Sequence, residues 1–127
     1  MTRDQANQFA DEWAAAWNRR DVEKVLEHFS EGVIFTSPTA LKVVGVATVR
    51  GKPALREYWN QALAQIRALR FSIERVLWDD VTRELAIIYS QAIDGRSTRV
   101  SENLIFGSDD RVVSAEVFHG TSTGKPA

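Results

Sequence analysis

The segment Val100-Ser101-Glu102-Asn103-Leu104-Ile105-Phe106 sets a carboxylate among apolar residues. In a strand, Val100, Glu102, Leu104 and Phe106 share one face, because successive side chains alternate. Burying Glu102 there is costly in the charged form, so the group tends to protonate. A carboxyl group of that kind can act as a proton donor or base; the alternatives are a carboxylate paired with an arginine such as Arg50, or one turned to solvent by a β-bulge. His119 is the other candidate acid–base group, since imidazole titrates near neutrality. The chain has only two histidines, and His28 reads as a surface residue of a helix. No paired metal-ligand spacing is present, so no metal is expected. With no cysteine, the chain has no disulfide and no thiol nucleophile. The run from Gly45 to Lys52 resembles a phosphate loop only superficially: its spacing is one residue too long, and Pro53 replaces the Ser/Thr. No cofactor is expected.

The rest of the chain has to position these groups. Its 127 residues suit one domain, expected over residues 1–120, with 121–127 as a flexible tail. Positive and negative residues are interspersed around a net charge of -1, which argues against nucleic acid as a partner. No apolar run is long enough to cross a membrane. The polar start, MTRDQANQF, lacks a secretory h-region, so a cytoplasmic protein is expected.

Thr2-Arg3-Asp4-Gln5 forms a capping box for a helix whose inner face carries Phe9, Trp13 and Trp17. Asp21 caps a second helix, with Val22, Val25, Leu26 and Phe29 on its inner side. A short strand, 33–37, ends at Pro38. Residues 39–50 read as a loop leading to a second short strand. A third helix begins at Gly51-Lys52-Pro53, with Leu55, Tyr58, Trp59, Ala62, Leu63 and Ile66 inward. The period then changes to two, and strands are expected at roughly 70–79, 83–93, 96–106 and 111–119.

Asp94-Gly95 is a strong two-residue hairpin turn, and Ser108-Asp109 reads as the tip of a second. If both are tight, three rows follow: Ile87, Glu102 and Ala115; then Tyr89, Val100 and Val117; then Gln91, Thr98 and His119. That register puts His119 two rows from Glu102, roughly 13 Å along the sheet, so the pair flanks a ligand without touching. The face holding these rows, with Leu85, Leu104, Phe106 and Val113, is the more apolar and should lie under the helices. Glu102, Tyr89, Gln91, Thr98 and His119 are many polar groups for one concave side, which predicts a cavity. The other face mixes Ser90, Arg99 and Asn103 with Ile88, Ile105 and Phe118, enough apolar area for a partner subunit.

The order helix, helix, short strand, helix, four long strands resembles the nuclear-transport-factor-2-like superfamily, which includes SnoaL-like cyclases and ketosteroid isomerases. The resemblance rests on Trp13 through Asp21, Gly32 through Pro38, Val49 through Trp59, and Arg111 through Ser114. It implies a cone-shaped α+β fold, with a curved, mostly antiparallel sheet and three helices from the N-terminal half over its concave face. Ketosteroid isomerases use an aspartate base just before the proline, and here that position is Ser37. Their first-helix tyrosine falls on Trp13, which can donate one hydrogen bond but is no phenol acid. Their protonated aspartate falls on Glu102. The resemblance also gives Trp13 and Trp59 pocket positions.

The residues together point to a homodimer, paired through the outer sheet face, that takes a small apolar cyclic molecule. The expected chemistry is cofactor-independent isomerisation, dehydration or cyclisation. Glu102 and His119 would be catalytic; Trp13, Trp17, Phe35, Ser37, Trp59, Tyr89, Gln91 and Val117 would contact the ligand. The alternative is a non-catalytic binding or dimerisation module. Epoxide hydrolysis, as in the limonene epoxide hydrolases of the same superfamily, ranks last because it needs two acids bridged by an arginine.

Overall fold

The computed structural model describes residues 1–122. Helix α1 (Arg3–Asn18) starts at the expected capping box: the Gln5 amide donates to the Thr2 hydroxyl at 3.1 Å, and the Thr2 amide donates to the Gln5 side chain at 2.8 Å. Its buried face includes Phe9, Trp13 and Trp17. Helix α2 (Val22–Leu26) is capped by Asp21, whose carboxylate accepts from the Lys24 amide. Strand β1 (Phe29–Thr36) begins earlier than the apolar run suggests.

The stretch after β1 corrects the sequence reading. Ser37 is an N-cap and Pro38 the first residue of a further helix, α3 (Pro38–Val44), where a loop was expected. Gly45 ends it at φ 81°, a left-handed conformation that suits glycine. Strand β2 (Thr48–Arg50) and helix α4 (Lys52–Ala64) follow as expected. The protein therefore has four helices among the described residues, not three. The long strands are β3 (Leu69–Asp79), β4 (Glu84–Ile93), β5 (Arg96–Phe106) and β6 (Val112–Ser122). Since β6 reaches Ser122, residues 121 and 122 belong to the sheet. The remainder of the expected tail, 123–127, lies outside the described residues.

The six strands form one sheet in the order β2-β1-β6-β5-β4-β3. Every pair is antiparallel except β1 with β6. The Asp94-Gly95 turn is as tight as predicted, with φ 50° and 86° at its two central residues and Ile93 opposite Arg96. The second hairpin is not. The Gly107 amide donates to the Arg111 carbonyl, Asp110 takes φ 59°, and the ladder is irregular between Ile105 and Phe106. Together these extra residues slide β6 by two positions.

The rows are therefore Leu85, Leu104 and Ala115; Ile87, Glu102 and Val117; and Tyr89, Val100 and His119. Gln91 still pairs with Thr98, but Ser122 completes that row. A slip of two preserves the faces of Ala115, Val117 and His119. Next to the irregularity the faces change, and Val112 is buried while Val113 is exposed. On the inner face Phe9 meets Phe106 edge-on at 5.1 Å, and Trp13 meets Tyr89 at 5.0 Å. The outer face leaves Ile34, Ile105, Val113 and Phe118 exposed.

Candidate active site

Helices α3 and α4 and the inner face of the sheet enclose a cavity of about 460 Å³. This size suits a small organic ligand. Trp17, Phe35, Trp59 and Phe71 supply aromatic walls, and Glu102, Tyr89, Tyr58 and Ser37 bring polar groups to them. Trp17 and Trp59 pack edge-on at 4.9 Å, and Phe35 packs on Trp59 at 5.4 Å, so these walls brace one another. The exposed residues Lys42, Gln65, Arg96 and His119 mark the mouth.

Strand alternation aims Glu102 inward from the centre of β5, where it is only 5% exposed. Burial pushes its carboxyl pKa up to about 8, and the neighbouring Tyr89 hydroxyl, which favours the ionised form, offsets only part of that. No basic residue shifts it: Arg50, the conceivable ion-pair partner, is exposed, and no ion pair to Glu102 forms among the described residues. At neutral pH the group is an acid that can donate a hydrogen bond or a proton. Burial, then the nearby Glu102, raises the Tyr89 phenol well above its ordinary range, so it too stays protonated. Tyr58 is raised by burial as well, with Ser37 and Thr39 beside its hydroxyl.

His119 stands one row from Glu102 on the adjacent strand, not two as the tight-turn register implied. Diagonal neighbours of this kind lie roughly 7–8 Å apart. That gap can hold the reacting atoms of a ligand between an acid and a base. Partial burial, then the charge of Lys42, holds the His119 imidazole below its usual pKa. It is therefore largely neutral at pH 7, with a lone pair free to accept a proton.

Gln91, Val117, Trp17, Phe35, Ser37 and Trp59 all line this cavity. Trp13 does not. It is fully buried one layer behind, against Phe71 and Tyr89, and its indole N–H has no partner among the described residues. The Ser37 hydroxyl accepts from the Thr39 amide at 3.2 Å, so it caps α3 while it faces the cavity. His28, expected at the surface, is half-buried with its ring edge-on to Phe9, away from the cavity. Among the described residues, no cluster of three His, Asp or Glu side chains could hold a metal ion. Among the described residues Glu102 is the only carboxyl group lining the cavity, and they do not assemble the two-acid arrangement of an epoxide hydrolase there.

A sequence profile described as the SnoaL-like domain matches residues 10–127. The chain belongs to the SnoaL-like family. Among solved structures it is similar to a SnoaL-like protein of unknown function from Burkholderia thailandensis: 33% identity over 94% of this chain and 98% of that one, TM-score 0.85. An NTF2-like protein of unknown function from Burkholderia pseudomallei is 19% identical over 94% and 92% of the two chains, TM-score 0.78. SalBIII, an epoxide hydrolase/cyclase-like enzyme in pyran ring formation in the polyether salinomycin, is 18% identical over 95% of each chain, TM-score 0.73. The last two likenesses show the fold. No curated protein matches the sequence.

This SnoaL-like cavity also contains residues the sequence did not single out. Thr39, Lys42 and Val43 come from α3, and the Ser37-Pro38 pair was the available signal for that helix. Arg96 follows the Asp-Gly turn on the inner-face parity of Thr98 and Val100, so its side could have been inferred from alternation.

Proposed function

We propose that this SnoaL-like protein binds a small apolar cyclic carbonyl compound and isomerises, dehydrates or cyclises it by acid–base chemistry without a cofactor. The observation that carries this reading is Glu102: a lone buried carboxyl group, held neutral, facing an aromatic-walled cavity. Glu102 and Tyr89 hydrogen-bond the carbonyl oxygen and stabilise the negative charge that develops there. His119 removes a proton from the carbon next to the carbonyl and returns it elsewhere on the conjugated system. The aromatic walls fix the ring, and Gln91 and Ser37 orient its polar edge. SalBIII, a cyclase-like enzyme on the same fold, supports ring chemistry as the class.

We place the protein in the cytoplasm as a homodimer paired through the outer sheet face. The apolar patch of Ile34, Ile105, Val113 and Phe118 supports that pairing. No helix among the described residues is long and apolar enough to cross a membrane. A second reading, a binding module without catalysis, is favoured by Ser37: where ketosteroid isomerases have a carboxylate base, this chain has a helix cap.

The two readings separate in one experiment. Cyclic ketones and enones are incubated with the protein in deuterated water, and proton exchange beside the carbonyl is followed by NMR. Catalysis predicts exchange that Glu102→Gln slows by about a hundredfold or more while ring binding persists. Binding without exchange in the native protein selects the second reading.

A further inference from the structure

The cavity is graded in charge from its closed end to its mouth. Lys42, in the last turn of α3, and Arg96, the first residue of β5, both line the opening. Among the described residues neither has an acidic partner, whereas Lys24, Lys52, Arg56, Arg83 and Arg99 each do. Most basic residues here also lack such a partner, but these two stand at the opening of a cavity that, among the described residues, no carboxyl group other than Glu102 lines.

Their placement is also directional. Lys42 is close enough to His119 to depress its pKa, which puts the ammonium on the β6 side. Arg96 stands on the β4–β5 side, paired with Ile93, with its side chain on the same face as Thr98. Glu102 is three rows deeper on β5, roughly 20 Å along the strand. Leu63, Ile66 and Leu69 line the cavity with apolar surface. Glu102, held neutral, does not repel an anion. A mouth bounded by low-dielectric walls concentrates the positive field of its two cations.

We infer that the ligand is a ring compound with a carboxylate at the end opposite its reacting carbonyl, and that Lys42 and Arg96 hold this carboxylate at the mouth. The inference rests on the cavity binding described under Proposed function and adds an anionic group to the outer end of that otherwise apolar ligand. It also fixes orientation: anion outward, carbonyl toward Glu102 and Tyr89.

Calorimetric titration at pH 7 and low salt, with 2-naphthoic acid and its neutral analogue 2-acetylnaphthalene, tests it. The native protein should bind the acid about tenfold more tightly than the ketone, the sum of two solvent-facing ion pairs. In a Lys42→Gln/Arg96→Gln double variant that preference should fall to about one, with ketone affinity unchanged. Added salt should weaken only the acid. Ketone binding with no preference for the acid, or a preference that survives in the double variant, overturns the carboxylate inference and leaves the cavity reading intact. Failure of both compounds to bind the native protein overturns the two together.

Discussion

Among the described residues Glu102 has no cation beside it, so its protonation is decided by burial, and that makes it a reporter of the fold. Its pKa is about 8 in the folded protein and 4.5 as the ordinary value. Between those values the folded state holds a proton that the unfolded state has released. The contribution of Glu102 to stability is therefore fully present below about pH 4.5 and is lost as pH rises through 8, by at most about 1.4 kcal/mol per unit. Glu102→Gln keeps the shape and removes the titration. Thermal unfolding from pH 5 to 9 should show the native protein losing melting temperature relative to Glu102→Gln, which becomes the more stable of the two by pH 8. Parallel melting curves across that range would mean the carboxyl is ionised or solvated in the folded state.

The edge strand β3 packs on α1 through Trp13 and Trp17, and a side chain of α1 also hydrogen-bonds its backbone. Asn18, the last residue of α1, accepts from the Phe71 amide at 2.7 Å and donates to the Phe71 carbonyl at 3.0 Å. It pairs with the strand as another backbone would, and Phe71 carries the cavity wall. Asn18→Ala leaves both backbone groups without that partner and should cost about 2 kcal/mol in urea unfolding. A loss below about 0.5 kcal/mol would show that water replaces the amide at no cost. Elements of this kind were unequally legible in the sequence. Period and capping disclosed α1, α4 and the long strands, because each buries one continuous face. Pro38 was ambiguous, since it can end a strand or begin a helix, and here it does both. The second hairpin misled because aspartate tolerates positive φ, so Asp110 lengthens a loop that looks tight. The slip of two left Glu102 and His119 on the cavity side but brought them one row closer. The inner face was readable, and the distance between its chemical groups was not.

At the scale of the whole molecule, one sheet has two faces with different tasks. The inner face, covered by helices, encloses the cavity, while the outer face leaves Ile34, Ile105, Val113 and Phe118 uncovered. A stable dimer needs about 800 Å² from each partner. Sedimentation velocity should give twice the chain mass of 14.3 kDa, and Phe118→Asp with Ile105→Asp should reduce it to one chain. A monomeric native protein would remove the assembly from the account without touching the cavity. The central claim is that the fold keeps one carboxyl group neutral inside that cavity. Carboxyl-resolved NMR titration, with Glu102→Gln to assign the resonance, measures it directly. Titration near 8 is the result predicted, and titration at or below 4.5 would contradict it.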